Sequence, residues 1–396
     1  MKSVVRTQYL RDSLKIAGQV VIKRSTMPIL AHVLIEATQT QIKISATDLE
    51  NYLTTELEAL TTDANEVKRV AVPFTDLDAI AKAAGKNTPE IEITITDEDK
   101  GRAVVKVGRG EYELKGLPAD DFPVIPEVPR DAWNAGFTKW RATGLLSRIN
   151  KVAPAVSDDE MRRNLAGICF DSVNAALVGT DGHRLHWISD CDVSFVGSGE
   201  RPILSKNAVK ALQSILKNTD DVFVSFEKIA SKMLHGNAGF MVFHADAVSG
   251  PFTFLSRVID AEFPDWPQVV PVQDRHSLDI KFAELEESLM RMKKLGSLAS
   301  ARNKGGGFVE ATFNGNLAVS NGNGGLENVD TDRDVYPALK LELDINFLLD
   351  VLKVAKTDKP ESLNFRLQGS PKNPMRIDVG NLNAVIQPME LDDRPR

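Results

Sequence analysis

Cysteine is nearly missing from this chain: Cys169 and Cys191 are the only two in 396 residues. Two thiols make no disulfide framework, and a reducing cytoplasm is the compartment that fits. Long apolar runs are missing too. No stretch approaches a membrane span, and the opening residues 1–18 contain no signal-peptide core. The sequence also has no Gly-x-Ser-x-Gly elbow, no His-Glu-x-x-His helix and no Cys-x-x-Cys pair. Gly305-Gly306-Gly307 lacks the Lys-Ser/Thr that a phosphate loop requires, so a flexible hairpin is expected there. Asp181, His183 and His186 can be drawn as a metal cluster. On a strand, however, His183 and His186 point to opposite faces, which defeats joint ligation. Cys169, between Ile168 and Phe170, reads as a core residue. Nothing pairs a nucleophile with a base. The expectation is a protein that is not an enzyme and needs no metal or cofactor.

What is present is ordinary in bulk and repetitive in detail. With 42% hydrophobic and 26% charged residues, the composition is that of a soluble globular protein. The length leaves room for two or three domains, each with its own core. The segment Leu177-Val178-Gly179-Thr180-Asp181-Gly182-His183-Arg184-Leu185 reads as strand, tight polar turn, strand. A weaker echo lies at Ile44-Ser45-Ala46-Thr47-Asp48-Leu49-Glu50, and a more eroded one at Leu317-Ala318-Val319-Ser320-Asn321. Three copies of one unit are implied.

Periodicity supports the repeat. Apolar residues at helical spacing predict helices over 7–18, 72–83, 137–154, 202–217, 280–295 and 344–356. Alternating runs predict strands at 29–36, 41–46, 90–96, 102–107 and 111–116 in the first copy. In the second they fall at 165–178, 222–226, 239–245 and 252–256. The third has them near 307–319, 362–368, 375–379 and 383–387. The first copy closes in the Pro-rich stretch 123–129, which reads as a linker. Each copy is an α+β unit of about 130 residues.

Net charge is −7, yet the predicted helices are locally basic. Lys139, Arg141, Arg148 and Lys151 share 137–154 with no acidic residue, and Lys206, Lys210 and Lys217 do the same in 205–217. Arg11, Lys15, Lys23 and Arg24 face Asp12 alone; Lys281, Arg291, Lys293 and Lys294 share their helix with Glu284, Glu286 and Glu287. A solvated face accounts for any one such helix. Its recurrence in three copies points to phosphate contact. No recognition-helix motif or aromatic ladder accompanies the charges, so sequence-specific readout is not indicated.

Ordered motifs then carry a resemblance. Thr26-Met27-Pro28-Ile29-Leu30, Ala46-Thr47-Asp48-Leu49-Glu50, Leu117-Pro118-Ala119-Asp120-Asp121-Phe122-Pro123, Gly179 through Leu185, Phe263-Pro264-Asp265 and Gln387-Pro388-Met389-Glu390-Leu391 span the chain. Together they resemble the bacterial sliding clamps, the β subunits of DNA polymerase III. The resemblance implies three similar domains at 1–129, 130–272 and 273–396. It also implies a head-to-tail homodimer forming a six-domain ring, helices inside and sheets outside. Such a ring encircles duplex DNA without reading its sequence. It tethers the replicative polymerase as a processivity factor, is opened by a clamp loader, and serves other replication and repair proteins in the cytoplasm. No membrane partner is implied. An adaptor of the same fold that binds only protein and never loads on DNA is the competing reading.

Carried over residue by residue, the resemblance assigns DNA contacts to Arg11, Arg24, Arg162 and Lys206. It assigns a partner-peptide pocket to Leu165, Thr180, Gly182, His183, Arg184, Leu185, Pro264 and Val269. To the same pocket it assigns Asn321, Pro374, Val385, Ile386, Pro388, Met389 and Leu391. Tyr112 and Leu114 of one chain would meet Lys294 and Leu295 of the other. Gln268, Gln387 and Glu390 depart from the family's usual residues, making the expected pocket more polar and reversing a charge at its rim.

Overall fold

The structure, a computed structural model, describes residues 1–63, 66–85, 87–128, 138–231, 236–300, 308–320 and 325–389. In chain order it begins β1 (Lys2–Arg6), α1 (Thr7–Ala17), β2 (His32–Ala37), β3 (Gln41–Thr47), β4 (Asn51–Glu58), a short β5 (Thr61–Thr62), β6 (Lys68–Pro73), α2 (Phe74–Ala83), β7 (Glu90–Asp97), β8 (Arg102–Val107) and β9 (Gly110–Lys115). Then come β10 (Thr138–Arg141), α3 (Ala142–Val152), β11 (Gly167–Asp171), β12 (Ala176–Thr180), β13 (Arg184–Ile188), β14 (Ile203–Ser205), α4 (Lys206–Ile215), β15 (Asp221–Ser231), β16 (Gly236–Ala247) and β17 (Gly250–Arg257). The last third is β18 (His276–Lys281), α5 (Phe282–Ser300), β19 (Phe308–Phe313), β20 (Asn316–Ser320), β21 (Leu326–Asp330), β22 (Leu339–Asp344), α6 (Ile345–Ala355), β23 (Ser362–Leu367), β24 (Met375–Val379) and β25 (Leu382–Ile386). Apart from β5, each third is strand–helix–three strands, played twice.

Four expected helices begin two or more residues later than their sequence periodicity implied. Residues 72–73 of the expected 72–83 helix end β6, and residues 203–205 of the expected 202–217 helix form β14. Residues 138–141, expected as helix, form β10. Lys139 and Arg141 point one way to Asp221, at 2.9 and 3.5 Å, and Trp140 is buried on the other side. That alternation, in a stretch holding Thr and Trp, favours a strand along β15. Likewise the expected 280–295 helix begins only at Phe282, because Leu278 and Ile280 are buried alternately in β18. In all four cases a strand feeds directly into a helix.

The chain divides into two compact units: residues 1–147 with 192–259, and residues 148–191 with 260–396. In the first, one sheet has the order β5-β1-β7-β8-β9 and the other β10-β15-β16-β17-β4-β3-β2-β6. In the second, β11-β12-β13-β25-β24-β23-β18 run side by side, and β21-β20-β19-β22 form a separate sheet. These neighbours are antiparallel; burial alternates along strands such as β7 and β23, whereas β11 and β12 are buried along their whole length. Leu278, Leu289, Phe313, Leu348 and Phe365 are among the buried residues holding the second unit's sheets and helices together. Side-chain caps fix the starts of α4 and α6: Ser205 accepts a hydrogen bond from the Ala208 amide (3.2 Å) and Asp344 from that of Asn346 (2.7 Å). No helix among the described residues is long and apolar enough to cross a membrane.

Candidate functional site

The recurring Thr-Asp pair is a piece of hydrogen-bonding hardware. Thr180 Oγ1 donates to the Arg184 carbonyl (2.6 Å) and accepts from the Gly182 amide (3.1 Å). Asp181 Oδ1 accepts from the His183 and Arg184 amides, both at 2.9 Å. The earlier copy repeats this bond for bond. Thr47 Oγ1 donates to Asn51 O (2.9 Å) and accepts from Leu49 (2.9 Å), while Asp48 Oδ1 accepts from Glu50 (3.0 Å) and Asn51 (2.6 Å). The turn's third residue has positive φ in both, +78° at Leu49 and +91° at Gly182. The third copy, with Asn321, lies outside the described residues.

Each turn launches a strand that pairs with the last strand of the following copy. In the first unit Tyr52 lies opposite Leu255 and Asn51 opposite Ser256; in the second Leu185 lies opposite Val385 and Arg184 opposite Ile386. The pairing closes with the same bond in both, Arg257 N to Glu50 O (2.8 Å) and Gln387 N to His183 O (2.9 Å). The chain then crosses to the other sheet: the Ile259 amide donates to Ile203 O, and that of Met389 to Glu342 O, both at 2.9 Å.

This pairing gathers most of the expected pocket residues within the second unit. Thr180, Leu185, Val385, Ile386 and Pro388 are buried, Leu185 and Val385 side by side on one face of the sheet. Gly182, His183 and Pro264 are exposed, Val269 is 55% exposed, and Pro374 and Met389 are partly covered. A Cβ on Gly182 would stand 3.2 Å from Arg162 Nη1 and 4.0 Å from Leu165 Cδ1, which puts Leu165 beside the turn. Pro264 and Val269 flank Trp266, whose indole donates to Asp171 Oδ2 (2.7 Å) and whose ring lies 5.5 Å from that of Trp187. Leu391 lies outside the described residues, as does Glu390. Gln268 and Gln387 are both exposed and tied locally, Gln268 to Asp265 (2.6 Å) and Gln387 to the Lys372 carbonyl (2.9 Å).

Strand β13 separates two environments. Leu185 and Trp187 lie on one face; His186 lies buried on the other, its Nδ1 donating to the Lys151 carbonyl (2.9 Å). Burial lowers the pKa of His186 to about 4, so the ring is neutral. His183 is exposed on the turn, well apart in environment from His186.

The expected DNA contacts sit in unlike settings. Arg24 is exposed. Arg11 caps α2, donating to the carbonyls of Ala81 (2.7 Å), Lys82 (3.4 Å) and Ala84, where its charge meets the negative helix end. Lys206 opens α4; burial, and secondarily Lys210, lower its pKa. Arg162 precedes a short 3-10 helix (Arg163–Leu165) and reaches the Thr180-Asp181 turn, donating to Asp181 O (3.3 Å) and pairing with Asp159 (3.6 Å). Of the expected interface residues, Tyr112 is 47% exposed on β9 and Leu295 49% exposed on α5. Leu114, at 2%, is already buried in its own core. Substituting Leu114 would therefore damage the fold and is no clean probe of an interface.

Residues 1–126 match the family model described as the DNA polymerase III beta subunit, N-terminal domain. Along its whole length the chain resembles the beta sliding clamp of Pseudomonas aeruginosa, 27% identical with 99% of this chain and 100% of that protein covered. The crystal structure of the Pseudomonas aeruginosa DNA polymerase III subunit beta superposes with a TM-score of 0.81 at 25% identity, covering 99% and 100% of the two chains. A Bartonella birtlesii sliding clamp, described as bound to griselimycin, gives 0.81 at 23% identity, with 99% and 100% covered. Fold and likeness together define a protein of the sliding-clamp class. Its first 126 residues match the N-terminal domain of the DNA polymerase III beta subunit, and over its whole length the chain is similar to the bacterial beta sliding clamps.

Proposed function

We propose that the chain is a non-enzymatic DNA sliding clamp of the bacterial cytoplasm. Three similar domains per chain, and two chains head to tail, would make a ring around duplex DNA that holds the replicative polymerase on its template. A loader would open the ring, and other replication and repair proteins would share the groove around Gly182 and Met389.

The observation that carries this reading is the repeated edge pairing. The strand after each Thr-Asp turn joins the final strand of the next copy, as β4 with β17 and β13 with β25. Strands β21 and β9 hold the corresponding places in the remaining copies, and each is the edge of its sheet. A second copy completes the series by pairing its β9 with the first copy's β21. The register follows by counting. Ser256 and Ile386 precede the crossover residues Ile259 and Met389 as Leu114 precedes Leu117, whose amide bonds to Ala71 O at 2.8 Å. Ser320, opposite Leu326, takes the place of Thr47 and Thr180. Leu326 thus falls opposite the second copy's Glu113, and Glu327 opposite its Tyr112. Such a contact uses one pair of unlike surfaces twice and closes by symmetry.

A closed ring needs only weak, delocalised phosphate contacts, which the basic helices supply and which leave it free to slide. The test is retention on DNA. Loaded by a clamp loader onto nicked circular DNA, the protein should stay through a high-salt wash and leave when the circle is cut. Loss from the intact circle at the same salt would favour the protein-only adaptor. Glu113→Cys with Leu326→Cys should join two chains under oxidation, and failure of that bond in a dimeric protein would refute the register.

A further inference from the structure

We propose that Arg184 and Lys151 are positioning residues, a two-point brace that sets the distance between the walls of the groove. The inference rests on the groove reading above and departs from the expectation that Arg184 contacts the partner itself. The Arg184 side chain is only 11% exposed. Its donors go to Asp181 Oδ2 (3.0 Å), Asp350 Oδ2 (2.6 Å) and Pro154 O (2.6 Å), and its guanidinium lies 4.3 Å from the centre of the Phe347 ring. A fork so fully engaged has a fixed geometry and little left for a ligand.

Asp181 transmits that geometry. One carboxylate oxygen holds the amides of the turn, the other holds Arg184, and Arg184 holds Asp350 on α6. The opposite wall refers to the same helix. Met389 is bonded to Glu342 on β22, the strand that runs into α6. Both walls are therefore registered to α6.

Lys151 supplies the second point. Its side chain is 4% exposed, and its ammonium group donates to Asp358 Oδ2 and to Asn381 Oδ1 (2.8 Å). Asp358 follows α6, and Asn381 is in the turn before β25. Lys151 thus ties the end of α3 to both, while its carbonyl receives His186 from β13.

The first unit shows what the same place looks like without a brace. Counting from the helix starts and hairpin turns, Ile16, Thr219 and Ser249 occupy the positions of Lys151, Asp358 and Asn381. All three line a cavity of about 190 Å³. Asn51, in the place of Arg184, bonds with its amide to Asp48 alone among the described residues, at 2.9 Å. The brace belongs to the junction that carries the groove.

The test uses Asp350→Asn and Asp358→Asn in the full chain, since neither residue is assigned to the groove. Two readouts are taken: hydrogen exchange at the Gln387 and Met389 amides, and calorimetric binding of griselimycin. Asp378→Asn serves as the control; it loses ion pairs to Arg366 and Arg376, both at 2.7 Å, within the same sheet. The brace predicts exchange faster by about tenfold or more in both test variants, and griselimycin binding weaker by a similar factor. The control should lower the melting temperature comparably and move neither readout. Unchanged exchange in both test variants overturns the brace, however griselimycin behaves. Accelerated exchange in a protein whose wild type binds no griselimycin would leave the brace standing and count against the groove as the docking site.

Discussion

The two strand junctions of this chain share their hydrogen bonds and differ in what covers them. At the first, Ile125 and Val128 of the chain's own connecting segment pack on Tyr52, Ile229, Ala238, Phe240, Val242 and Leu255. Phe240 meets Tyr52 edge-on at 6.2 Å. At the second, Pro374 stands where Phe240 does, Gly182 where Leu49 does, and Val269, counterpart of Val128, is 55% exposed. One junction supplies its own apolar cover, and the other leaves Val269 and Gly182 open. The long β15–β16 hairpin makes the difference, since Ile229 and Ala238 have no counterparts in the shorter β23–β24 pair.

The largest effect should come from uncovering the first junction. Phe240→Ala removes a ring that is 2% exposed and should cost about 3–5 kcal/mol in denaturant unfolding. Pro374→Ala, at the matching point of the second junction, should cost less than about 1 kcal/mol. Equal losses would show that the two junctions are covered alike after all.

A slightly smaller difference should appear in acid. His186 takes the position of Leu53, and both are fully buried. The folded-state pKa of His186, about 4, lies below its ordinary 6.5. Between those values the unfolded chain binds a proton that the folded chain does not. Stability therefore falls as pH drops through that window, by about 3 kcal/mol in all, and this loss is absent above it. His186→Leu should remove this part of the acid limb in urea titrations from pH 7 to 4. An unchanged limb would place the titration elsewhere.

Much of this was legible in the sequence. The Thr-Asp turns, the threefold order and helices such as α1 and α6 follow from local chemistry, because a turn or an amphipathic stripe is written within a few residues. Strands β10, β14 and β18 were absorbed into the helices they precede, since a short run carries too little period to compete. The brace was not legible: Lys151 with Asp358, and Arg184 with Asp350, meet only after the sheet has formed. Leu114 shows the same limit. Alternation places it with Tyr112, but the Tyr112 ring leans over Gly110, where a Cβ would sit 2.9 Å from its hydroxyl, while Leu114 enters the core.

The smallest effect tests the turns themselves. Leu49 holds a φ of +78° that a branched side chain adopts at a cost, and Gly182 holds +91° at none. Leu49→Gly should relieve about 1 kcal/mol of strain, offset in part by the greater freedom glycine has in the unfolded chain. Gly182→Leu should lose about 1–2 kcal/mol and also obstruct the groove beside Leu165 and Arg162. Thermal melts of the two variants should thus move in opposite directions, and only the second should change partner binding. If Gly182→Leu melts like wild type and binds partners unchanged, the absent side chain at this turn is not what keeps the groove open.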